Sequence, residues 1–405
     1  MNKKPTIHPG VLMKNLARFA LHPRTGAKLA ALQCEKWAFN LLYPRAGRLG
    51  KARKIRQLSL RITDMCNLRC ITCGQWGEAG YLHQADLKDC VSRQVKPDRY
   101  AELFEDLKAK GHRPLVYLWG GEPMLYEGCM DVIDAAIQHG MPVSIATNGY
   151  RVAREAERLV MAPLYLFQIS IDGHCAALHD RIRPDSGSRS NYSDVMEGLD
   201  AIRAAKQARG TRLPLVASLT TISRENAGHL VDIYTTVREK VDMCIFYYAW
   251  WIDEQHARMH EADFQRRFGF EPARHRGWIG SWIPDDFVEL ARQISELERM
   301  SVAWSAPPVM LLPHITGEED LRRYYTNHAC RFGYDQCISI YQAVEINSNG
   351  DMAPCRDYND YVVGNIKEQT ISELWNSDAY RRFRQSLAKD GLMPVCSRCC
   401  GLMGY

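Results

Sequence analysis

Three cysteines stand within eight residues, Cys66, Cys70 and Cys73 in the stretch CNLRCITC. Three thiolates on one tight loop are soft ligands suited to three irons of a cubic iron–sulfur cluster, and such a loop leaves the fourth iron open to a ligand that is not protein. A structural zinc site closes with four ligands instead, and Cys90 could supply the fourth, so spacing alone leaves zinc open. A second set lies near the C-terminus: Cys337, twelve residues, Gly350, four residues, Cys355, then Cys396 and Cys399 in CSRC. Four thiolates in two separated pairs close around one zinc or around a fully ligated four-iron cluster, and spacing does not tell these apart. Cys330 and Cys400 are left over, each able to replace a neighbouring ligand or simply to be buried.

Polar motifs fall between the two sets. GGEP, Gly120 to Pro123, follows a strand-like run, where paired glycines let backbone come close to a ligand and Glu122 can accept from a cationic amine. ATNG places Asn148 after the next such run, and SIDG places Ser170 after the one that follows. Ser170 with nearby Arg183 supplies a hydroxyl and a bidentate donor, suited to ribose and carboxylate. Asp172, His179 and Arg181 read as turn, cap and surface residues.

The elements that must position these groups alternate. Strands are expected at Leu58–Ile62, Leu115–Trp119, Val143–Ala146, Tyr165–Ile171, Leu215–Thr221 and Met243–Tyr248, with helical patterns such as PDRYAELFEDLKAK and YSDVMEGLDAIRAAKQA between them. Strand then helix, repeated six times without a nucleotide-fold glycine fingerprint, predicts an α/β fold built on a partial (β/α)6 TIM-like barrel, with its chemistry at the C-terminal ends of the strands. A basic amphipathic helical extension is expected over residues 1–55, the barrel over 56–250, an aromatic and basic insert over 251–325 and a small Cys-rich domain over 326–405.

Bulk properties narrow the setting. The chain has 405 residues, 46% of them hydrophobic, enough to bury a large core. The 14 cysteines occur without an apolar export signal, which predicts a cytoplasmic chain whose clustered thiols hold metal rather than disulfides. Cys34, Cys90, Cys129, Cys175 and Cys244 are scattered and read as small buried hydrophobes. Residues 1–61 carry a net charge of +13 and the remainder −8. This basic arm, with apolar positions at helical spacing, fits an anionic membrane surface, a surface that recruits an acidic peptide or a sugar-nucleotide, or a helical pair packed on the barrel with a solvated cationic face, and nothing points to a specific nucleic acid.

The text RITDMCNLRCITC, with GGEP and SIDG in strand order behind it, resembles the radical SAM superfamily. INSNGDMAPC and VGNIKEQTISELWNS resemble the SPASM-type C-terminal extension of such enzymes, here in a shortened, twitch-like form. The resemblance implies a 4Fe-4S cluster on Cys66, Cys70 and Cys73, S-adenosyl-L-methionine on its open iron, and an auxiliary 4Fe-4S cluster on Cys337, Cys355, Cys396 and Cys399. It also implies cofactor contacts from Gly120, Gly121, Glu122, Pro123, Asn148, Ser170 and Arg183, and a flavodoxin- or ferredoxin-type electron donor. The expected chemistry is reductive cleavage to a 5′-deoxyadenosyl radical and hydrogen abstraction. A small, sugar, nucleotide or lipid-linked substrate is favoured over a peptide, because no peptide-docking domain precedes the barrel. One departure is Thr72, where the family usually has an aromatic residue before the third cysteine; it weakens a packing contact to the cofactor. The residues around Trp250–Trp282 are the best candidates for a substrate wall, although most of them suit a cap and core, and His256, His260 and His275 lack ligand-like partners. The competing reading is a non-catalytic metal-binding or electron-transfer protein with zinc in its tail.

Overall fold

The computed structural model describes residues 48–162, 164–187, 189–303 and 305–403, with side chains other than that of Cys400. The amphipathic helices expected between residues 11 and 44 lie outside the described residues, as does Cys34. Ten strands form one sheet: β1 Gln57–Thr63, β2 Leu115–Gly120, β3 Val143–Thr147, β4 Leu166–Ser170, β5 Leu215–Ile222, β6 Met243–Tyr248, β7 Val309–Leu312, β8 Ala343–Ile346, β9 Asp351–Ala353 and β10 Gly364–Asn365. Their order is β10-β9-β8-β1-β2-β3-β4-β5-β6-β7. From β8 through β7 every pair is parallel; the pairs β8–β9 and β9–β10 are antiparallel.

β1 shows why the sheet takes this form. In QLSLRIT, Leu58, Leu60 and Ile62 join the apolar core, while Ser59, Arg61 and Thr63 alternate with them on the opposite face and are also buried. Helices cover the outer face. Pro97–Ala109 starts with proline in its first turn and buries Tyr100, Leu103, Phe104 and Leu107, a spacing of three and four that makes one stripe. Asn191–Ala208 is capped by the Ser190 hydroxyl and packs against the helix Val152–Met161. Each fully buried Leu, Ile or Val side chain contributes about 1.5–3 kcal/mol.

The segment expected as an insert continues the alternation. After β6 come the helices Glu254–Phe268 and Phe287–Ser301, then β7, which extends the sheet beyond six strands. The Cys-rich tail also joins the sheet rather than standing apart, because β8 pairs with β1 in register Gln57↔Ala343 through Leu60↔Ile346. Cys90, Cys129 and Cys244 are buried and Cys175 half-buried.

Candidate active site

The loop that follows β1 carries the first three thiols and is clamped on both sides. The Ile71 and Arg69 amides donate to the carbonyls of Ile182 (3.0 Å) and Pro184 (2.8 Å), and Asn67 Nδ2 donates to Asp185 Oδ2 at 3.0 Å. Arg69 holds the loop from within by donating to the Cys66 and Leu68 carbonyls while its guanidinium covers the Trp76 ring at 4.3 Å. The Leu68 and Trp76 amides each lie 3.4 Å from a thiol sulfur, Cys66 and Cys73 respectively. Burial pushes the Cys66 thiol well up and the Cys70 thiol to about 12, with Cys70 a further cause at Cys66; Arg183 pulls Cys70 down.

All three thiols face one cavity of about 230 Å³ at the C-terminal ends of the strands. Of the residues expected at the cofactor, Gly120, Gly121, Asn148, Ser170 and Arg183 line it, whereas Glu122 and Pro123 do not. The glycines are needed for another reason than ligand approach. A Cβ on Gly121 would fall 2.1 Å from the Met65 carbonyl oxygen, and one on Gly120 2.4 Å from that of Thr63, so β2's end passes directly against the cysteine loop. Two hydrogen bonds fix this contact, Gly121 N to Thr63 O and Glu122 N to Met65 O.

Glu122 turns inward. Its carboxylate, fully buried, accepts from the Met124 amide (3.0 Å), the Thr147 hydroxyl (2.7 Å) and the Asn148 amide (2.7 Å), stitching the β2 loop to the β3 loop. Burial nevertheless raises its pKa to about 7, against the pull of those three bonds. Asn148 in turn donates to Asn67 and lies 3.9 Å from the Cys66 sulfur.

Arg183 is held by Asp172, a residue that sequence reasoning set aside. Arg183 Nε donates to Asp172 Oδ2 at 2.6 Å, the Thr221 amide donates to Oδ1 at 2.7 Å, and Arg183 Nη1 lies 3.8 Å from the Cys70 sulfur. Burial opposes the Arg183 charge, but Asp172 and Cys70 more than offset it and keep the guanidinium protonated. His179 is likewise structural: its Nδ1 accepts from the Asp172 amide and its Nε2 meets Asn191 Oδ1 at 2.9 Å, with burial holding it neutral.

A larger cavity, about 790 Å³, adjoins the first through Thr72, Cys73, Trp76, Trp250 and Trp278. The segment Trp250–Trp282 thus divides between two roles. Trp251, Phe264 and Phe268 are core, but Trp250, Trp278 and Trp282 form cavity wall. Indoles 250 and 278 stack with centroids 5.5 Å apart, and Trp278 lies flat on Gly74, next to Cys73, where a Cβ would come within 2.4 Å of its ring. Thr72 also lines both cavities, in an otherwise indole-rich surround.

The tail thiols gather at the far side of Trp278, whose Nε1 donates to the Asp357 carbonyl at 3.2 Å. Burial pushes the Cys355 thiol well up, followed by Asp357, Cys396 and Cys337, while Cys396 reaches about 12 through burial and then Cys337. Cys399 donates to Asp357 Oδ2 at 3.5 Å. Gly350, with φ +92°, is the turn residue between β8 and β9. Of the two leftover cysteines, Cys330 is buried and its sulfur accepts from Arg323 at 3.3 Å; the Cys400 side chain lies outside the described residues. Among the described residues neither cysteine set brings three sulfurs within 4.8 Å of one another. Thiolates are soft ligands, the donor type that iron–sulfur clusters take. His256, His260 and His275 form no such ligand set among the described residues either.

Comparison with known families agrees with this geometry. The family model of the radical SAM superfamily matches residues 60–237, and that of the SPASM iron–sulfur cluster-binding domain matches residues 337–400. The chain belongs to the radical SAM superfamily. The two matches together span more than half of it, and they make its chemistry that of an enzyme using a four-iron cluster and S-adenosylmethionine, with auxiliary iron–sulfur in the tail rather than zinc. Among curated relatives, an AdoMet-dependent heme synthase of Methanosarcina barkeri is 22% identical over 84% of this chain and 88% of its own length. A tungsten-containing aldehyde ferredoxin oxidoreductase cofactor-modifying protein of Pyrococcus furiosus is 21% identical over 85% and 87%. The crystal structure of Streptococcus suis SuiB bound to S-adenosylmethionine shares the fold, with a TM-score of 0.58 at 14% identity over 92% of this chain and 79% of that one. No helix among the described residues is long and apolar enough to cross a membrane.

Proposed function

We propose that this radical SAM enzyme takes a hydrogen atom from a small molecule seated against the tryptophan wall, with a single auxiliary four-iron cluster on Cys337, Cys355, Cys396 and Cys399. When bound at Cys66, Cys70 and Cys73, the first cluster and S-adenosylmethionine supply the 5′-deoxyadenosyl radical that attacks the substrate C–H bond. The carrying observation is that the two cavities share a wall at Thr72, Cys73, Trp76, Trp250 and Trp278. Arg183, aimed by Asp172, presents its remaining N–H groups to a carboxylate, and Ser170 and Asn148 offer a hydroxyl and an amide to the rest of the cofactor. Glu122 serves by fixing the loops, since its oxygens are already bonded. Trp76, Trp250 and Trp278 exclude water from the passage where a reactive radical must be protected.

The two relatives spanning most of both chains carry names that refer to heme and to a metal cofactor, which supports a small substrate over a peptide. A flavodoxin- or ferredoxin-type protein is the proposed electron donor, and the basic N-terminal arm the proposed contact with anionic lipid.

Anaerobic reconstitution tests the reading. About eight irons per chain are expected, with 5′-deoxyadenosine formed on adding S-adenosylmethionine and dithionite. Substituting Cys66, Cys70 and Cys73 with Ala should abolish the nucleoside and leave the tail iron. Four irons accompanied by zinc would remove the auxiliary cluster, and a loaded protein that forms no nucleoside would remove the function.

A further inference from the structure

Beside the thiol-lined cavity, at the C-terminal ends of β1 and β8, lies a separate cavity of about 310 Å³ that the radical step leaves unused. It is walled by Arg61, Asp64, Tyr81, Arg93, Arg274 and the turn Asn347–Asn349, Arg93 being already paired with Asp89 at 2.6 Å. Arg61 comes from the inward face of β1 and is only 2% exposed. It donates to the Tyr81 hydroxyl and, at 3.4 Å, to the Arg356 carbonyl, both neutral groups, and its Nε has no hydrogen-bond partner. The ring of Trp119 lies 4.9 Å from its guanidinium carbon and that of Tyr81 5.6 Å. A cation so enclosed is costly to keep unless an anion meets it.

The neighbouring arginine shows the contrast. Arg356 also lies over Trp119, but it makes two hydrogen bonds of 3.2 Å to the Glu345 carboxylate. Arg61 has been given aromatic faces and neutral oxygens instead. A second buried donor in the same wall is also idle: Asn347 is 7% exposed, its Oδ1 accepts from Asn359, and its Nδ2 has no partner. Arg274, half-buried, adds a second positive charge 5.8 Å from the Tyr81 ring. Asp64 is the one opposing charge in this set; one of its oxygens accepts from the Ser348 hydroxyl and the other is idle, ready for an O–H on an incoming group.

An idle donor on each of two buried side chains, Arg61 and Asn347, with Arg274 beside them, calls for an acceptor-rich ligand. We propose that this cavity binds the anionic group, carboxylate or phosphate, of the substrate that reacts next door. The assignment to the substrate rests on the radical reading above; the anion site does not. Strand-end cavities are where barrel ligands bind, and Trp119, which Arg61 covers, also lines the thiol cavity, so one molecule can be anchored here and react there.

The experiment is isothermal titration of the reconstituted protein, anaerobically, with inorganic phosphate in one arm and succinate in the other. Arg61→Gln should weaken binding at least about tenfold, the loss of a charge-assisted hydrogen bond, and Arg274→Gln should weaken it a few-fold. Arg158→Gln, an exposed residue of the helix Val152–Met161, should leave it unchanged and so correct for net charge. Tighter phosphate marks a phosphorylated substrate and tighter succinate a carboxylated one. If the wild-type protein binds neither probe, or Arg274→Gln binds as well as wild type, the site is overturned, and the second criterion stands even if Arg61→Gln does not fold. Should anion binding depend on Arg61 while S-adenosylmethionine is never cleaved, the proposed function falls and the anion site remains.

Discussion

Asp172→Asn separates the aiming of Arg183 from the packing around it. Asp172 is 0% exposed and accepts two bonds, 2.6 Å from Arg183 Nε and 2.7 Å from the Thr221 amide. Asparagine keeps the size and one carbonyl oxygen, so the Thr221 bond survives while the charge and the acceptor for Arg183 Nε are lost. The Arg183 side chain, 13% exposed, is then a buried cation without its carboxylate. Removing one partner of a buried pair costs about 3–5 kcal/mol, and the retained bond places this case near the lower end, about 3 kcal/mol. At about 2 °C per kcal/mol for a long chain, the melting midpoint of the cluster-free protein should fall by about 6 °C. S-adenosylmethionine binding to the loaded protein should weaken about tenfold or more on the proposal that Arg183 meets the cofactor carboxylate, because the freed guanidinium is no longer aimed. The double variant Asp172→Asn with Arg183→Met removes the stranded charge while keeping the side chain's length. It should regain most of the lost stability yet none of the affinity. A single variant within about 2 °C of wild type, or a double variant no more stable than the single, would refute the argument that Asp172 exists to hold a charge.

Two further outcomes follow from the same geometry. Gly74→Ala places a methyl 2.4 Å from the Trp278 ring and must displace the indole that lies between the cysteine sets; a cost of about 1–3 kcal/mol is expected, with altered tryptophan fluorescence of the cluster-free protein and recovery when Trp278→Leu is added. No change in fluorescence or stability would show that the ring does not rest there. Iron loading should strengthen with pH. Burial pushes Cys70 and Cys396 to about 12, so both hold their protons across the neutral range, and each thiol that ligates must release one; affinity then climbs by up to about tenfold per pH unit for each proton displaced. Reconstitution in weak buffer should acidify the solution, and a reconstitution without proton release would contradict the protonated resting state.

The six central strands were legible because each is an apolar or strictly alternating run long enough to show its own pattern. Their observed bounds differ from the expected ones by one residue at most ends. The four others were not. VMLL is an edge strand with Met310 exposed, and AVEI, DMA and GN are too short to carry a period, since pairing with β1 and with one another makes them strands. At the site, thiol spacing and strand-end motifs were readable as text. The direction of the Glu122 carboxylate was not, because it is decided by donors from Thr147 and Asn148 some 25 residues on. Nor was the Trp278 contact with Gly74, which joins two loops far apart in sequence. Arg61 left a fainter trace: strict alternation in LSLRIT puts an arginine on the lumen side of a central strand, and such a residue needs an explanation in charge.

That arginine also bears on why the tail is built into the sheet. β8 lies beside β1 in parallel, so the loop with Cys66 and the turn after Ile346 leave the same edge of the sheet in the same direction. The Ser348 hydroxyl binds Asp64, two residues before Cys66, and the Trp278 indole spans from Gly74 to the Asp357 carbonyl, two residues after Cys355. Both thiol sets are therefore located by short contacts to one frame and not by a flexible linker. A linker would let the tail rock and would open the indole wall to water; strand pairing denies it that freedom. The cavity at the ends of β1 and β8 is then a place where a ligand touches both halves at once, and Arg61 and Asn347 both line it with donors to spare. An anion held between them would tie the barrel to the tail while its substrate is in place, so anchoring the substrate and closing the site would be a single event.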